Sequence, residues 1–348
     1  MSDERLPPWL LPMWRRVTAA PERLHHALLL IGPHGSGKRR FAELLAQRLL
    51  CTSPLADGFA CGQCPACRWF ADGNHPDMHR MVPESAEEDD GEGESEGKKE
   101  KKKSNQIRIE QVRDMQGLLE IGGHQGGRRV VLIDPAEAMN VPTANALLKS
   151  LEEPPIDAVF LLVCHAPGQL LPTIRSRCQA WVFPKPSAAE ASAWLAREGT
   201  ANAEALLGFA SGLPLAAREL ADGPLGEARA RFAKDVIGLM NQDPLKLAGE
   251  WEAWLKGKAA TEAGVTQALL VSWLQRWLAD GVRVGQGQPA RFFADYHKQL
   301  AQGATGHAAG WLAAYQELAA FRKVAQHPLN ARLFLEDVLL RAKRGMAR

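Results

Sequence analysis

Charge of one sign is what this 348-residue sequence has least of: 42 lysines and arginines stand against 40 aspartates and glutamates. That balance excludes the global positive field of a protein that grips nucleic acid over its whole surface. Any contact with DNA has to come from a local patch or from an assembly. Long apolar runs are missing too. None approaches the roughly 20 residues needed to span a bilayer, so no membrane is expected. The opening residues, MSDERLPPWLLPMWRRV, bring acids and prolines in place of the layout of a secretory leader. The expected compartment is the cytoplasm. Cysteine is sparse as well, six in all, yet Cys51, Cys61, Cys64 and Cys67 fall within one short stretch.

In bulk the remainder is ordinary. An apolar share of 46% and a charged share of 24% suit a soluble globular chain with room for two or three domains. The most informative stretch is HHALLLIGPHGSGKRRFAELLAQRLLC, from His25 to Cys51. An apolar run, Ala27 to Ile31, enters a glycine-rich turn that includes Gly32, His34, Gly35, Ser36 and Gly37. Lys38 follows, and then an amphipathic helix carries Phe41, Leu44, Leu45 and Leu49. Strand, G-x-x-x-x-G-K and helix in that order is the context a phosphate-binding loop requires. Successive backbone N–H groups face an anion, the helix N-terminus adds partial positive charge, and the lysine adds a point charge. One position departs from the pattern. A magnesium-ligating Ser or Thr belongs after the lysine, and Arg39 stands there. A guanidinium offers a metal no lone pair and repels it. The loop is therefore expected to hold phosphates and to hydrolyse them poorly.

The cysteines follow in the arrangement C-x9-C-x2-C-x2-C, with Gly58, Gly62 and Pro65 suited to the turns between them. Four thiolates from such turns reach one tetrahedral Zn²⁺ without strain. With every position filled by sulfur the ion is structural, worth on the order of 10 kcal/mol by analogy with zinc-finger peptides. A short strand is expected from Met78 to Val82. Beyond it an acidic block and then a basic block, about residues 84–104, carry no aromatic or β-branched residue. They are expected to form a disordered surface insertion whose charges partly cancel.

Ile109, Val112, Met115 and Leu119 give a helical period that Gly122 and Gly123 should stop. Arg128 to Asp134 reads as a buried strand ending in an aspartate, the layout that organises magnesium beside a phosphate loop. Pro135 takes the place of the glutamate that would orient an attacking water, and Glu137, two residues on, is expected to point elsewhere. A helix from Ala144 is stopped by Pro154 and Pro155. Ala158 to Cys164 is a second buried strand, and PTIRSRCQAWVF runs through Ser176, Arg177 and Cys178 to a last strand ending at Phe183. Strands alternating with helices predict a doubly wound α/β domain with a parallel sheet. Pro184 and Pro186 mark a boundary. Helices follow, first around Trp194, Leu206, Leu207 and Phe209. After Asp222-Gly223-Pro224 they centre on Leu270, Trp273, Leu274 and Trp277, and on Leu333, Phe334, Val338 and Leu339.

The degraded phosphate loop, the four cysteines after its helix, NALLKSLEEPP, LLPTIRSRC and HPLNARLFLEDVLLR together resemble bacterial clamp-loader subunits of the AAA+ class. The resemblance is dense over residues 7–183 and looser beyond. It implies an α/β P-loop (AAA+) domain over 1–184, with a zinc-binding insertion at 51–67 and the charged insertion at 84–104. A small helical lid domain over 185–223 and an all-α collar domain over 224–348 would complete the chain. The implied partners are gamma/tau-type ATPase and delta subunits in a hetero-pentameric ring. The sliding clamp and primed DNA would be reached through that assembly, as part of a DNA polymerase holoenzyme. In that family the arginine of Ser-Arg-Cys reaches across an interface to a neighbour's ATP. Here that residue is Arg177, between Ser176 and Cys178, and arginine fingers are worth roughly 10³–10⁵ in rate.

Arg39, Pro135, Cys164-His165 in place of a polar γ-phosphate sensor, and a lid segment Gly212 to Leu215 without arginine all depart from the active pattern. Arg218 lies near that last segment. The expectation is a non-hydrolysing subunit. Gly32, Gly35, Gly37 and Lys38 remain, so the loop is compatible with passive binding of ATP or phosphate, with Mg²⁺ disfavoured by Arg39. Two other functions compete: an active motor ATPase of the same ring, and a zinc-dependent DNA-binding regulator. The near-neutral charge, and the lack of basic residues inside the cysteine loop, oppose the second.

Overall fold

Three apolar runs too short for helices become the middle of one sheet. The computed structural model describes residues 5–84, 104–120, 127–325 and 330–347. Most of the charged insertion at 84–104, together with Gly122 and Gly123, therefore lies outside the described residues. The chain divides between Lys185 and Pro186 into two compact units.

In the first unit β1 (Ala27–Ile31), β2 (Met78–Met81), β3 (Arg129–Ile133), β4 (Ala158–Cys164) and β5 (Gln179–Val182) are all parallel, in the order β2-β3-β4-β1-β5. Every residue of β3 and β4 is buried, as expected of parallel strands covered on both faces. The unit's helices are α1 (Leu11–Thr18), α2 (Lys38–Leu50), α3 (Pro65–Ala71), α4 (Ile109–Glu120), α5 (Val141–Glu152) and the short α6 (Pro172–Arg175). Alternation along the strands sorts them into layers. Leu28, Leu30, Val130, Leu132, Leu161 and Val163 face α1 and α2 through Trp14, Val17, Phe41 and Leu45. Leu29, Val131, Ile133, Phe160 and Leu162 face α4 and α5 through Val112, Met115, Leu147 and Leu151. Arg129, buried at the start of β3, donates its guanidinium to the carbonyls of Leu119 and Ile156. A chain end of α4 and the loop before β4 are thereby satisfied.

The aromatic side chains under α1 connect this layer to the cysteine segment. Trp14 stacks on Phe59 at 4.4 Å and meets Phe41 edge-on at 5.4 Å, and Phe41 meets Phe183 edge-on at 5.1 Å. Gly58 has φ of 82°, and a Cβ there would lie 2.6 Å from the Thr18 hydroxyl. Only glycine lets the loop approach α1 so closely.

The second unit is helical: α7 (Ala188–Arg197), α8 (Ala203–Phe209), α9 (Pro214–Asp222), α10 (Pro224–Gly238), α11 (Pro244–Leu255), α12 (Lys258–Glu262), α13 (Gln267–Gly285), α14 (His297–Ala304), α15 (Ala308–Val324) and α16 (Ala331–Met346). Leu270, Trp273, Leu274 and Trp277 form the buried face of α13, as their spacing predicts. It packs tightly on α15 at Gly281, where a Cβ would meet the Trp311 ring at 1.8 Å. Asp280, wholly buried, accepts the backbone N–H groups of Arg291, Phe292 and Phe293 at 2.7–2.8 Å. The α16 face differs from expectation by one residue. Phe334, Leu335, Val338, Leu339 and Ala342 are buried, while Leu333 is 62% exposed. Asn330 caps the helix by accepting from the Leu333 N–H, and Leu333 lies about 100° round the helix from Phe334, off the stripe that Phe334, Val338 and Ala342 continue.

Trp14 ties α1 to both α2 and the cysteine segment, so Trp14→Ala should cost about 3–5 kcal/mol. Denaturant unfolding checks this, and a loss below about 1 kcal/mol would mean the stack does not hold α1 in place.

Candidate functional site

The loop after β1 is shaped by its glycines. A Cβ on Gly32 would lie 2.9 Å from the Ser36 hydroxyl and 3.1 Å from Phe183 Cβ. Gly35 and Gly37 have φ of 79° and 88°, a region that side chains disfavour. β1 lies between β4 and β5, so the loop opens at the switch point of the sheet, where α/β proteins bind ligands.

Lys38 begins α2 and is only 2% exposed. Its Nζ donates to the Pro33 carbonyl at 2.9 Å and lies 2.8 Å from His165 Nδ1 and 3.4 Å from Ser36 Oγ. Burial pulls the ammonium down to about 8. Burial, and then the Lys38 charge, hold His165 down to about 4. A neutral His165 accepts from Lys38 at Nδ1 and turns its Nε2–H toward Asp134, whose Oδ1 is 3.8 Å away. The His34 ring lies 5.4 Å from that of His165.

Asp134, at the end of β3, is 7% exposed, and burial raises its carboxyl in spite of the cations beside it. Arg39 Nε reaches Asp134 Oδ2 at 3.4 Å and Glu43 Oε1 at 3.4 Å, and Arg80 reaches Glu43 at 3.7 Å. Glu137, expected to point elsewhere, instead stays within the charge environment of Lys38 and His165, and its Oε1 accepts the backbone N–H groups of His165 and Ala166 at 2.8 and 3.0 Å. It caps the end of β4. Lys38, Arg39 and Arg80 thus share one network with Glu43, Asp134 and Glu137, and the charges match. The loop keeps its N–H groups and its lysine, and the Arg39 side chain, 61% exposed, lies beside the Asp134 carboxylate.

Cys51 is the C-cap of α2, Cys64 is the N-cap of α3 and Cys67 lies in its first turn. The four Sγ atoms all lie within 4.8 Å of one another and could hold a metal ion. Cys51 is 3.6 Å from Cys61 and 3.9 Å from Cys64, and Cys61 is 3.9 Å from Cys67. A tetrahedron with 2.3 Å metal–sulfur arms has edges of about 3.8 Å, so the donor set fits such an ion. These separations are far from the roughly 2.05 Å of a disulfide. Backbone N–H groups of Gln63 and Cys64 donate to Cys61 Sγ and lower its thiol, and that of Cys61 donates to Cys51 Sγ. Such donors favour thiolate. Burial pushes Cys51 and Cys67 the other way.

Arg177 follows α6 and is about one third exposed. Its Nη2 pairs with Glu152 Oε1 at 2.5 Å, and its Nη1 donates to the Thr173 carbonyl at 3.0 Å and lies 3.4 Å from Ser176 Oγ. Cys178 is half-buried, with its thiol raised to about 12 by burial. Among the described residues none of the Arg177 partners belongs to the Lys38 network. Sequence reasoning grouped Gly32 to Arg39 with Asp134, and the structure brings them together. It missed His165 as the partner of Lys38, the cap made by Glu137, and Glu152 as the partner of Arg177. Only the pairing of β1 with β4 could have signalled the first, since it sets the residue after β4 beside the loop.

A five-stranded parallel sheet with a glycine-rich phosphate loop at its switch point, followed by a helical region, defines an α/β P-loop protein of the AAA+ class. Residues 12–187 match the family described as DNA polymerase III, delta subunit. A DNA polymerase III subunit delta' of Pseudomonas aeruginosa is 41% identical over 276 residues, covering 78% of this chain and 75% of that protein. The Escherichia coli subunit delta' is 30% identical over 285 residues, 80% of this chain and 77% of its own length. A DNA polymerase III subunit tau of Salmonella typhimurium is 32% identical over 156 residues, 45% of this chain and 21% of that protein. The chain belongs to the DNA polymerase III delta' family.

Lys38 offers a test of the site's electrostatics. Its folded value, about 8, lies below the roughly 10.4 of an unfolded lysine. Between those values the unfolded chain binds more protons, so this residue's contribution to stability rises with pH. At pH 7 it is a net cost. Lys38→Met should be more stable at pH 7 by on the order of 2 kcal/mol, with the gap closing toward pH 10. Parallel melts of the two proteins across that range measure it. A variant less stable than wild type at pH 7 would show that the lysine's contacts outweigh its desolvation.

Proposed function

We propose that this chain is a non-hydrolysing delta'-type subunit of a bacterial clamp loader, a five-membered ring that opens a sliding clamp and closes it on primed DNA. In this reading Arg177 enters the ATP site of a neighbouring gamma/tau-type subunit and stabilises charge on the transferred phosphate. Residues 185–223 then serve as a lid and residues 224–348 as the collar that joins the ring with gamma/tau and delta subunits. The membership of the delta' family supports this, as does the likeness to a tau subunit.

One observation carries it. The chain's own loop has its charges matched internally, with Arg39 against the Asp134 carboxylate where Mg²⁺ would bind. The Arg177 guanidinium stands partly exposed on a different set of partners. A site without a place for metal can hold phosphate but lacks the Lewis acid that hydrolysis uses. The four cysteines are proposed to hold a structural Zn²⁺, which would fix the segment between α2 and α3.

The isolated chain should show no steady ATP turnover with Mg²⁺, and any nucleotide affinity should not depend on the metal. Turnover that Lys38→Ala abolishes would instead establish the motor reading. In a reconstituted ring Arg177→Ala should leave assembly intact and slow clamp loading by at least about tenfold. Unchanged loading would sink the finger assignment.

Metal analysis should return one zinc, lost in Cys64→Ser. Because the thiols must give up protons, and burial raises Cys51 and Cys67, zinc affinity should weaken as pH falls. Chelation should lower the melting temperature, and an unchanged melt after metal removal would count against the site.

A further inference from the structure

The fork of Arg177 is already engaged by its own chain. Nη1 faces the Thr173 carbonyl and the Ser176 hydroxyl, both local to α6. Nη2 faces Glu152, which closes α5 and so belongs to a different element. A guanidinium carries five N–H donors. Two acceptors at Nη1 and one at Nη2 leave the Nε–H and one Nη2–H without a partner among the described residues. Those are adjacent donors of the kind that grip a phosphate bidentately.

We infer that Glu152 is a positioning residue for Arg177: it holds the guanidinium by its Nη edge so that the remaining donors meet a neighbour's phosphate in a fixed orientation. This rests on reading Arg177 as a finger acting in trans. The local acceptors alone leave the side chain free to swing, because Thr173 and Ser176 move with Arg177 on the same turn. Glu152 is anchored elsewhere. Its helix, α5, is capped by Asn140 at one end and packed through Leu147 and Leu151 on the sheet, which fixes the carboxylate relative to the core. The pair is exposed on both sides, 34% for Arg177 and 48% for Glu152. Exposed ion pairs contribute little to folding. Loss of Glu152 should therefore appear in rate and hardly in stability, since misplacing a reacting group by an ångström costs far more in rate than in folding.

The test uses the reconstituted ring and four variants: Arg177→Ala, Glu152→Ala, Glu152→Gln, and the double variant Glu152→Ala with Arg177→Ala. Melting temperature and ring assembly should match wild type in all of them. Glu152→Ala should lower the kcat of ATP hydrolysis by roughly three- to tenfold with KM for ATP unchanged. Glu152→Gln, which still accepts a hydrogen bond, should fall between wild type and Glu152→Ala. In the Arg177→Ala background removal of Glu152 should change nothing further.

A Glu152→Ala ring as fast as wild type, when Arg177→Ala is slow, would overturn the positioning role and leave the finger standing. A faster one would show that Glu152 restrains the arginine, which also overturns it. An additive loss in the double variant would show that Glu152 acts on something other than Arg177. If Arg177→Ala is itself silent, the finger reading fails and this inference with it.

Discussion

A lysine ammonium at 2% exposure determines what its surroundings have to be. Taken out of water, the charge needs acceptors, and these come from its own loop and from the residue after β4. Pro33 supplies a carbonyl from the loop, Ser36 a hydroxyl, and His165 a ring nitrogen from the residue after β4. His165 can fill that place only while neutral, and the same burial that depresses Lys38 keeps it so. Its backbone N–H is in turn held by Glu137. The parallel pairing of β1 with β4 brings these groups to one edge of the sheet, so the strand order and the polar network require each other.

Helix α2 carries this constraint away from the loop. It begins at Lys38, ends at Cys51 and at 13 residues spans about 20 Å. Its two ends are fixed by different chemistry, hydrogen bonds donated by an ammonium at one and a cluster of sulfurs at the other. Between them Phe41 packs against Trp14 and Phe183, and Trp14 carries Phe59 from the cysteine segment. Phe183 also closes on Gly32. The cysteine segment is therefore packed onto the same layer of side chains that backs the phosphate loop.

Much of this was legible in the sequence because it is local. β4 was readable as Ala158 to Cys164, since a run of seven apolar residues between turns leaves a parallel strand little choice. The phosphate loop was readable because glycine, lysine and a following amphipathic helix recur at fixed spacing, and the four cysteines because two C-x-x-C steps do. The face of α16 was misjudged at Leu333, because Leu333, Phe334, Val338 and Leu339 and the stripe Phe334, Leu335, Val338, Leu339 and Ala342 differ only at the edges and both suit a helix. His165, Glu137 and Glu152 were not readable as partners. His165 meets a residue 127 positions away, and Glu152 one brought near by the packing of two helices. Such pairings depend on strand order and helix placement, which spacing along the chain does not encode.

Arg39 and Arg177 carry the same group and sit in different electrostatic settings. Arg39 divides its Nε between two carboxylates, and one of them, Asp134, is 8% exposed at its side chain. The Arg39 side chain is itself 61% exposed, so water screens its end of the pair, and Asp134 is the member that depends on the contact. Asp134 gains from the pairing, since burial without a counter-charge would favour its protonated form. Arg177 meets a single carboxylate that is 48% exposed, and water and salt weaken that attraction. The two pairs thus differ in which member is shielded: at Asp134 it is the carboxylate, whereas at Glu152 the guanidinium is the less exposed of the two.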